Sequence, residues 1–289
     1  MCDQSHFVET CVDSAVDFAT DQGVDSGLTT QVGITIGCIV GLILTGANEE
    51  AYGILKDAAA VLENDPSVIF DSARAAYSLG LIFEARTTMG RATSPESPLS
   101  ADAKNFLLLT EAEASKQPGI AAEVEKSLAK DSRNVPALMV RGSLETAAGK
   151  SPEATYLEVL KLYPRFDPAR VRLAAFYMDQ PDKLDQALTI ASEARARMPE
   201  DPELNRIFAF INYRKGDFKY AGQLLSELSI KRPLAPGELF VLGMSLANSK
   251  QPEKARETLD QAIKAGLPES DAAQAKAALL KLDEPQEKK

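Results

Sequence analysis

The sequence predicts an all-α solenoid, a row of helix-turn-helix units stacked side by side, and three observations predict it. Alanine recurs at Ala51, Ala85, Ala121, Ala154, Ala187, Ala221 and Ala255, with steps of 34, 36, 33, 33, 34 and 34 residues. Turn-forming residues fall inside the units at Gly46, Gly80, Pro118, Gly149, Gly216 and Pro252, and prolines close units at Pro164, Pro199, Pro233 and Pro268. The tetrapeptide Ser-Lys-Gln-Pro occurs at 115–118 and again at 249–252, four units apart in the same register. A helix pair of this length cannot bury its apolar face alone, whereas several stacked pairs make a continuous core.

The clearest unit starts at Pro202. Ala209 is its eighth residue, Gly216 its fifteenth, Ala221 its twentieth and Pro233 its thirty-second. It resembles the tetratricopeptide repeat family, whose helix pairs keep small residues at positions eight and twenty so that the helices can approach closely. Position eight along the chain is Ile39, Ala73, Leu109, Gly142, Ala175, Ala209 and Gly243, so the first and third units depart from the small-residue rule. Position twenty-seven is Ala58, Ala92, Leu128, Lys161, Ala194, Leu228 and Ala262, and Lys161 marks a unit whose second helix is out of register. The resemblance implies a right-handed superhelix of about seven repeats, at 32–65, 66–101, 102–134, 135–167, 168–201, 202–235 and 236–269.

Capping segments are expected at both ends. In residues 1–31, Phe7, Val8, Cys11, Val12, Ala15, Val16, Phe18 and Ala19 form an apolar helical face, and Gly23 and Gly27 would end that helix. The segment is acidic. No Lys or Arg precedes Lys56, against eight acids, while the other 234 residues carry 34 acids and 32 bases. Ser26 to Asn48 is free of charge, and Gly33, Gly37 and Gly41 have spacing suited to close helix packing in a bilayer. Its strongly apolar run, Val32 to Leu44, has a length typical of a buried core helix. The register makes Val32–Thr45 the first helix of the first repeat. A membrane anchor over residues 28–47 is the alternative. Thr93 to Ser100 is the longest interruption and accounts for the 36-residue step. At the far end, Asp271 to Leu282 supplies one more helix, and residues 270–289 cap the array with a solvated tail.

The sequence offers little for catalysis. It has one His, three Cys and no Trp. No phosphate-binding loop, nucleophile elbow or zinc-protease motif is present. No catalytic residue, cofactor or metal is therefore assigned. A formal charge of -10 argues against nucleic acid as the main partner.

In the tetratricopeptide family the first helices of the units line a concave groove. Carried over residue by residue, the resemblance assigns to it Phe70, Arg74 and Tyr77; Phe106; Met139; Arg172 and Phe176; Arg206, Phe210, Tyr213 and Arg214; and Phe240 and Met244. Rings and methionines give adaptable apolar contact, and arginines hold carboxylates. The expectation is a non-enzymatic, cytoplasmic adaptor or scaffold of a bacterial assembly or secretion system. Its partner would be a protein or peptide with acidic and apolar residues. The alternative is a membrane-associated envelope protein tethered through 28–47.

Overall fold

The structure is a computed structural model that describes residues 52–56, 65–111 and 114–283. The expected acidic cap, the helix or anchor within 28–47 and the tail after Asp283 lie outside the described residues. No strand occurs among the described residues. Residues 52–56 are helical, and then the helices come in pairs. These are α1 (Pro66–Ser78) with α2 (Ile82–Arg91), α3 (Ser100–Leu109) with α4 (Ile120–Lys130), and α5 (Val135–Ala147) with α6 (Glu153–Leu162). They continue as α7 (Asp167–Tyr177) with α8 (Leu184–Arg195), α9 (Pro202–Arg214) with α10 (Phe218–Lys231), and α11 (Pro236–Asn248) with α12 (Pro252–Lys264), before a last helix, α13 (Glu269–Asp283).

Local chemistry sets the helix ends. The Asp65 carboxylate accepts from the Ser67 and Val68 backbone N–H groups at 2.8 and 3.1 Å. Asn134 accepts from Ala137 at 3.0 Å, Asp201 from Leu204 at 2.9 Å and Asp217 from Tyr220 at 3.1 Å. Each side chain satisfies a first-turn donor that has no partner within the helix. Pro66 and Pro202 follow two of these caps, where a proline loses no helical hydrogen bond. Between α1 and α2, and between α9 and α10, the chain reverses through a left-handed residue, with φ of +79° at Gly80 and +84° at Gly216. Glycine meets that demand without a Cβ clash.

The chain divides into two compact units, Met1–Ala169 and Arg170–Lys289. In the first, Ile69, Ala73, Ala85, Met89, Phe106, Leu138, Val159, Phe166 and Ala169 belong to one core. In the second, Leu204, Ile207, Ile211, Leu225, Leu228, Leu259 and Ala275 are fully buried. Ala85, Ala187, Ala221 and Ala255 are likewise fully buried, as small contact residues should be. Ala121 and Ala154 differ, because both are exposed.

Loop length explains the difference. In the regular pairs three residues join the helices (79–81, 215–217 and 249–251), but residues 148–152 form a five-residue connection between α5 and α6. The second helix of that pair therefore starts two residues late. Tyr156, 2% exposed, takes the place expected for Ala154, and its ring lies against Gly142. In the pair before it, the connection runs from Thr110 to Gly119, and α4 buries Ile120, Val124 and Ser127 in place of the Ala121 register. As a result α3 and α4 scarcely pack on each other, and α4 packs on α5. Polar side chains bridge the gap. The Asn105 amide donates to Glu123 at 2.6 Å, Ser127 donates to Asn105 at 3.3 Å, and Lys130 pairs with Asp102 at 2.6 Å.

Among the described residues, no helix is long and apolar enough to cross a membrane. No cluster of metal-ligating side chains occurs among them either.

Candidate functional site

In the first unit, α1 presents Phe70, Arg74 and Tyr77 along one side, at the one-turn spacing that brings side chains together. Phe70 is half-buried and Arg74 is exposed. Tyr77 is only 4% exposed, with its ring edge-on to Phe106 at 5.3 Å and tilted against Phe166 at 5.0 Å. Phe106 is itself buried. Met139 is half-buried and packs against the same core. Tyr77 and Phe106 thus spend most of their surface on packing and leave an edge at a cavity. That cavity, of ≈ 570 Å³, opens where α3 and α4 fail to close on each other. Phe70, Arg74, Tyr77, Asn105, Phe106, Lys126, Lys130, Arg133 and Tyr163 are among its walls. Burial pushes the Tyr163 phenol upward in pKa, against the pull of Arg74, which hydrogen-bonds it, and of Arg133. Two of these residues, Arg133 and Tyr163, escape a reading based on first helices, because they lie in turns after second helices.

In the second unit two of the three assigned arginines, Arg206 and Arg214, have partners already. Arg206 grips Glu203 one turn back through two bonds of 2.6 and 2.9 Å, and its guanidinium sits 5.4 Å from the Phe210 ring centre. Burial raises the Glu203 carboxyl, but Arg206 more than offsets this and holds it below the usual glutamate range. Arg214 pairs with Asp179 at 2.7 Å. Arg172 is exposed, and Phe176 is half-buried with its ring 6.0 Å from that of Tyr177. Tyr213 packs edge-on to Phe218 at 5.7 Å and Phe240 at 6.5 Å. Phe240 is buried and Met244 half-buried. The acids Asp179 and Glu203 were not assigned a role from the sequence, although the Glu203/Arg206 spacing of three was visible there.

A second ion pair braces α11. Arg232 donates to both oxygens of Glu238 at 2.6 and 2.8 Å, and the Ala235 N–H donates to the same carboxylate at 2.7 Å. Burial alone would raise this carboxyl, but these donors reverse the effect and lower it below the ordinary glutamate value. Glu238 therefore stabilises the fold fully at neutral pH, and the contribution is lost as pH falls through its depressed native value. Thermal melts of the native chain and of Glu238→Gln are expected to converge as pH drops from neutral to roughly 3.5, below the ordinary glutamate pKa. A constant gap between the two curves across that range would refute this.

No family model matches the chain, and no curated protein matches it. Solved structures do resemble it. The hetero-tetramer Cut9–Hcn1 of APC/C aligns with a TM-score of 0.50 and 13% identity, over 93% of this chain and 53% of that one, so this chain spans about half of the matched partner's length. A tetratricopeptide repeat protein from Parabacteroides merdae aligns at TM-score 0.44 and 16% identity, over 96% of this chain and 98% of that one. YrrB, a tetratricopeptide repeat protein with an unusual peptide-binding site, aligns at TM-score 0.41 and 16% identity, over 77% and 97%. Periodicity, paired helices and buried small contact residues agree with the first of these likenesses: the chain has the tetratricopeptide repeat fold.

Proposed function

We propose that the chain is a non-enzymatic adaptor or scaffold that holds a protein or peptide segment against the faces of its first helices. The observation that carries this reading is the division of α9 into two sides. Leu204, Ile207, Phe208, Ala209 and Ile211 are buried, whereas Arg206, Phe210 and Tyr213 are only half-buried and Arg214 is exposed. A helix that served packing alone would not leave two aromatic rings beside two cations at the surface. Met244 on α11 adds an adaptable apolar contact that is also half-buried. Arg206 and Arg214, held by Glu203 and Asp179, meet a partner as preorganised ion pairs, able to share their remaining N–H donors with carbonyl or carboxylate oxygens.

Affinity capture with the intact chain and with an Arg206→Glu, Arg214→Glu variant tests the reading. The variant sets like charges beside Glu203 and Asp179 and reverses the local field. Captured partner is expected to fall at least about tenfold, as for loss of a desolvated charged contact. Unchanged capture by a variant with a native circular dichroism spectrum would remove α9 from the binding surface.

A further inference from the structure

We propose that the cavity of the first unit is an anchor site for a peptide carboxylate next to an aromatic or aliphatic side chain, with Arg74 and Arg133 holding the carboxylate. This inference rests on the adaptor reading and adds the place and the ligand chemistry. Its basis is a count of which cations remain available. Lys126 is paired with Glu123 at 3.4 Å, and Lys130 with Asp102 at 2.6 Å. Arg74 and Arg133 make no ion pair with a carboxylate among the described residues. Asp71 lies near Arg74 without bonding to it, and Asp131 spends an oxygen on the Arg133 backbone N–H at 2.9 Å. Arg74, Arg133 and Tyr163 all line the cavity, and both guanidiniums, together with the Asp131 carboxylate, act on the Tyr163 phenol.

The other walls are aromatic. Phe70, Tyr77 and Phe106 border the same space, and the Phe166 ring packs against that of Tyr77. A volume of ≈ 570 Å³ suits one large side chain and its neighbour. The charge of the walls selects the sign of the ligand: four basic residues face three acids, and two of those acids are neutralised within the walls. A guanidinium pair beside ring faces recognises an anion attached to an apolar group, the composition expected of an acidic and apolar peptide. The site exists because α3 and α4 stand apart. Regular packing of that pair would close it.

The absence of Trp in the chain provides the assay. The probe is acetyl-Gly-Glu-Trp-Gly-amide, followed by its own indole emission as the intact protein is titrated in, against the isosteric acetyl-Gly-Gln-Trp-Gly-amide. The glutamate peptide is expected to bind about tenfold more tightly, as for one charge-assisted contact, with blue-shifted emission. Arg74→Gln and Arg133→Gln are each expected to remove most of that preference. Arg133 is exposed in a turn, so its variant keeps the fold even if Arg74→Gln does not. Lys104→Gln, an equal loss of charge on an exposed α3 position outside the cavity walls, is expected to keep the preference. Equal binding of the two peptides, or a preference that survives the double arginine variant, overturns the site. A preference lost instead with Arg206→Gln also overturns it, while leaving the adaptor reading in place.

Discussion

Phe166→Ala is expected to destabilise the first unit by about 3–5 kcal/mol, the range for deleting a fully buried phenylalanine ring. Phe166 is 0% exposed, although it lies in the turn before α7 and not in a helix. Its ring lies 5.0 Å from that of Tyr77 and 6.2 Å from that of Tyr163, so it joins α1 to the turn after α6. Truncation removes the ring's burial and also one partner from each of two aromatic contacts, which contribute about 0.5–1.5 kcal/mol apiece beyond area. Backbone collapse cannot refill the space easily, because Pro164 and Pro168 on either side restrict the turn. Urea titration followed by circular dichroism measures the effect as a fall in midpoint at constant slope. A loss below about 1 kcal/mol would mean that neighbouring side chains close the gap, contrary to the dense packing expected of a core.

Alanine substitution at glycine is expected to change sign with position. A Cβ on Gly142 would lie 2.5 Å from the Tyr156 ring, and one on Gly243 would lie 2.7 Å from Leu259 Cγ and 3.2 Å from the Leu259 backbone nitrogen. Neither neighbour can move cheaply. Tyr156 is a rigid, buried ring, and Leu259 is blocked at its branch point and main chain. Overpacking of this kind costs about 1–3 kcal/mol or more and outweighs the roughly 1 kcal/mol that alanine gains over glycine inside a helix. Gly142→Ala and Gly243→Ala are therefore expected to destabilise by about 1–2 kcal/mol net. At Gly90, in α2, a new Cβ would meet nothing within 4 Å, so Gly90→Ala keeps the helix gain and raises stability by about 0.5–1 kcal/mol. Pairing Gly142→Ala with Tyr156→Leu should recover part of the loss, since the contact at issue is shared. Destabilisation by Gly90→Ala equal to that by Gly142→Ala would refute the close-approach account.

Much of the helix-pair architecture was legible in the sequence because it depends on local rules. Asp65-Pro66 and Asp201-Pro202 announce helix starts through capping chemistry, and Gly80 and Gly216 announce reversals through their backbone freedom. The small residues Ala85, Ala187, Ala221 and Ala255 fall in frame because the connections before three of them have the same length. Where the second helix starts late, as α6 does, the frame fails with little local sign. Ala154 looks like its counterparts, yet two extra turn residues carry it to the surface and put Tyr156 in its place. Lys161 at an apolar position was the one trace of that shift.

The candidate site was less legible. Spacing along a helix places Arg206 and Arg214 away from the buried face of α9, but it does not reveal which acids reach them. Asp179 is 35 residues from Arg214, and only folding brings the two to 2.7 Å. Arg133 and Tyr163 come from turns that no groove periodicity includes, and they share a cavity wall with Arg74. Capping, turn and contact-residue preferences operate within a few residues, so the sequence by itself determined the repeat and its all-helical fold. Which cations are already neutralised, and where a cavity opens, depend on side chains tens of residues apart. Those were decided by the tertiary structure, because Coulomb pairing and packing depend on distance in space and not along the chain.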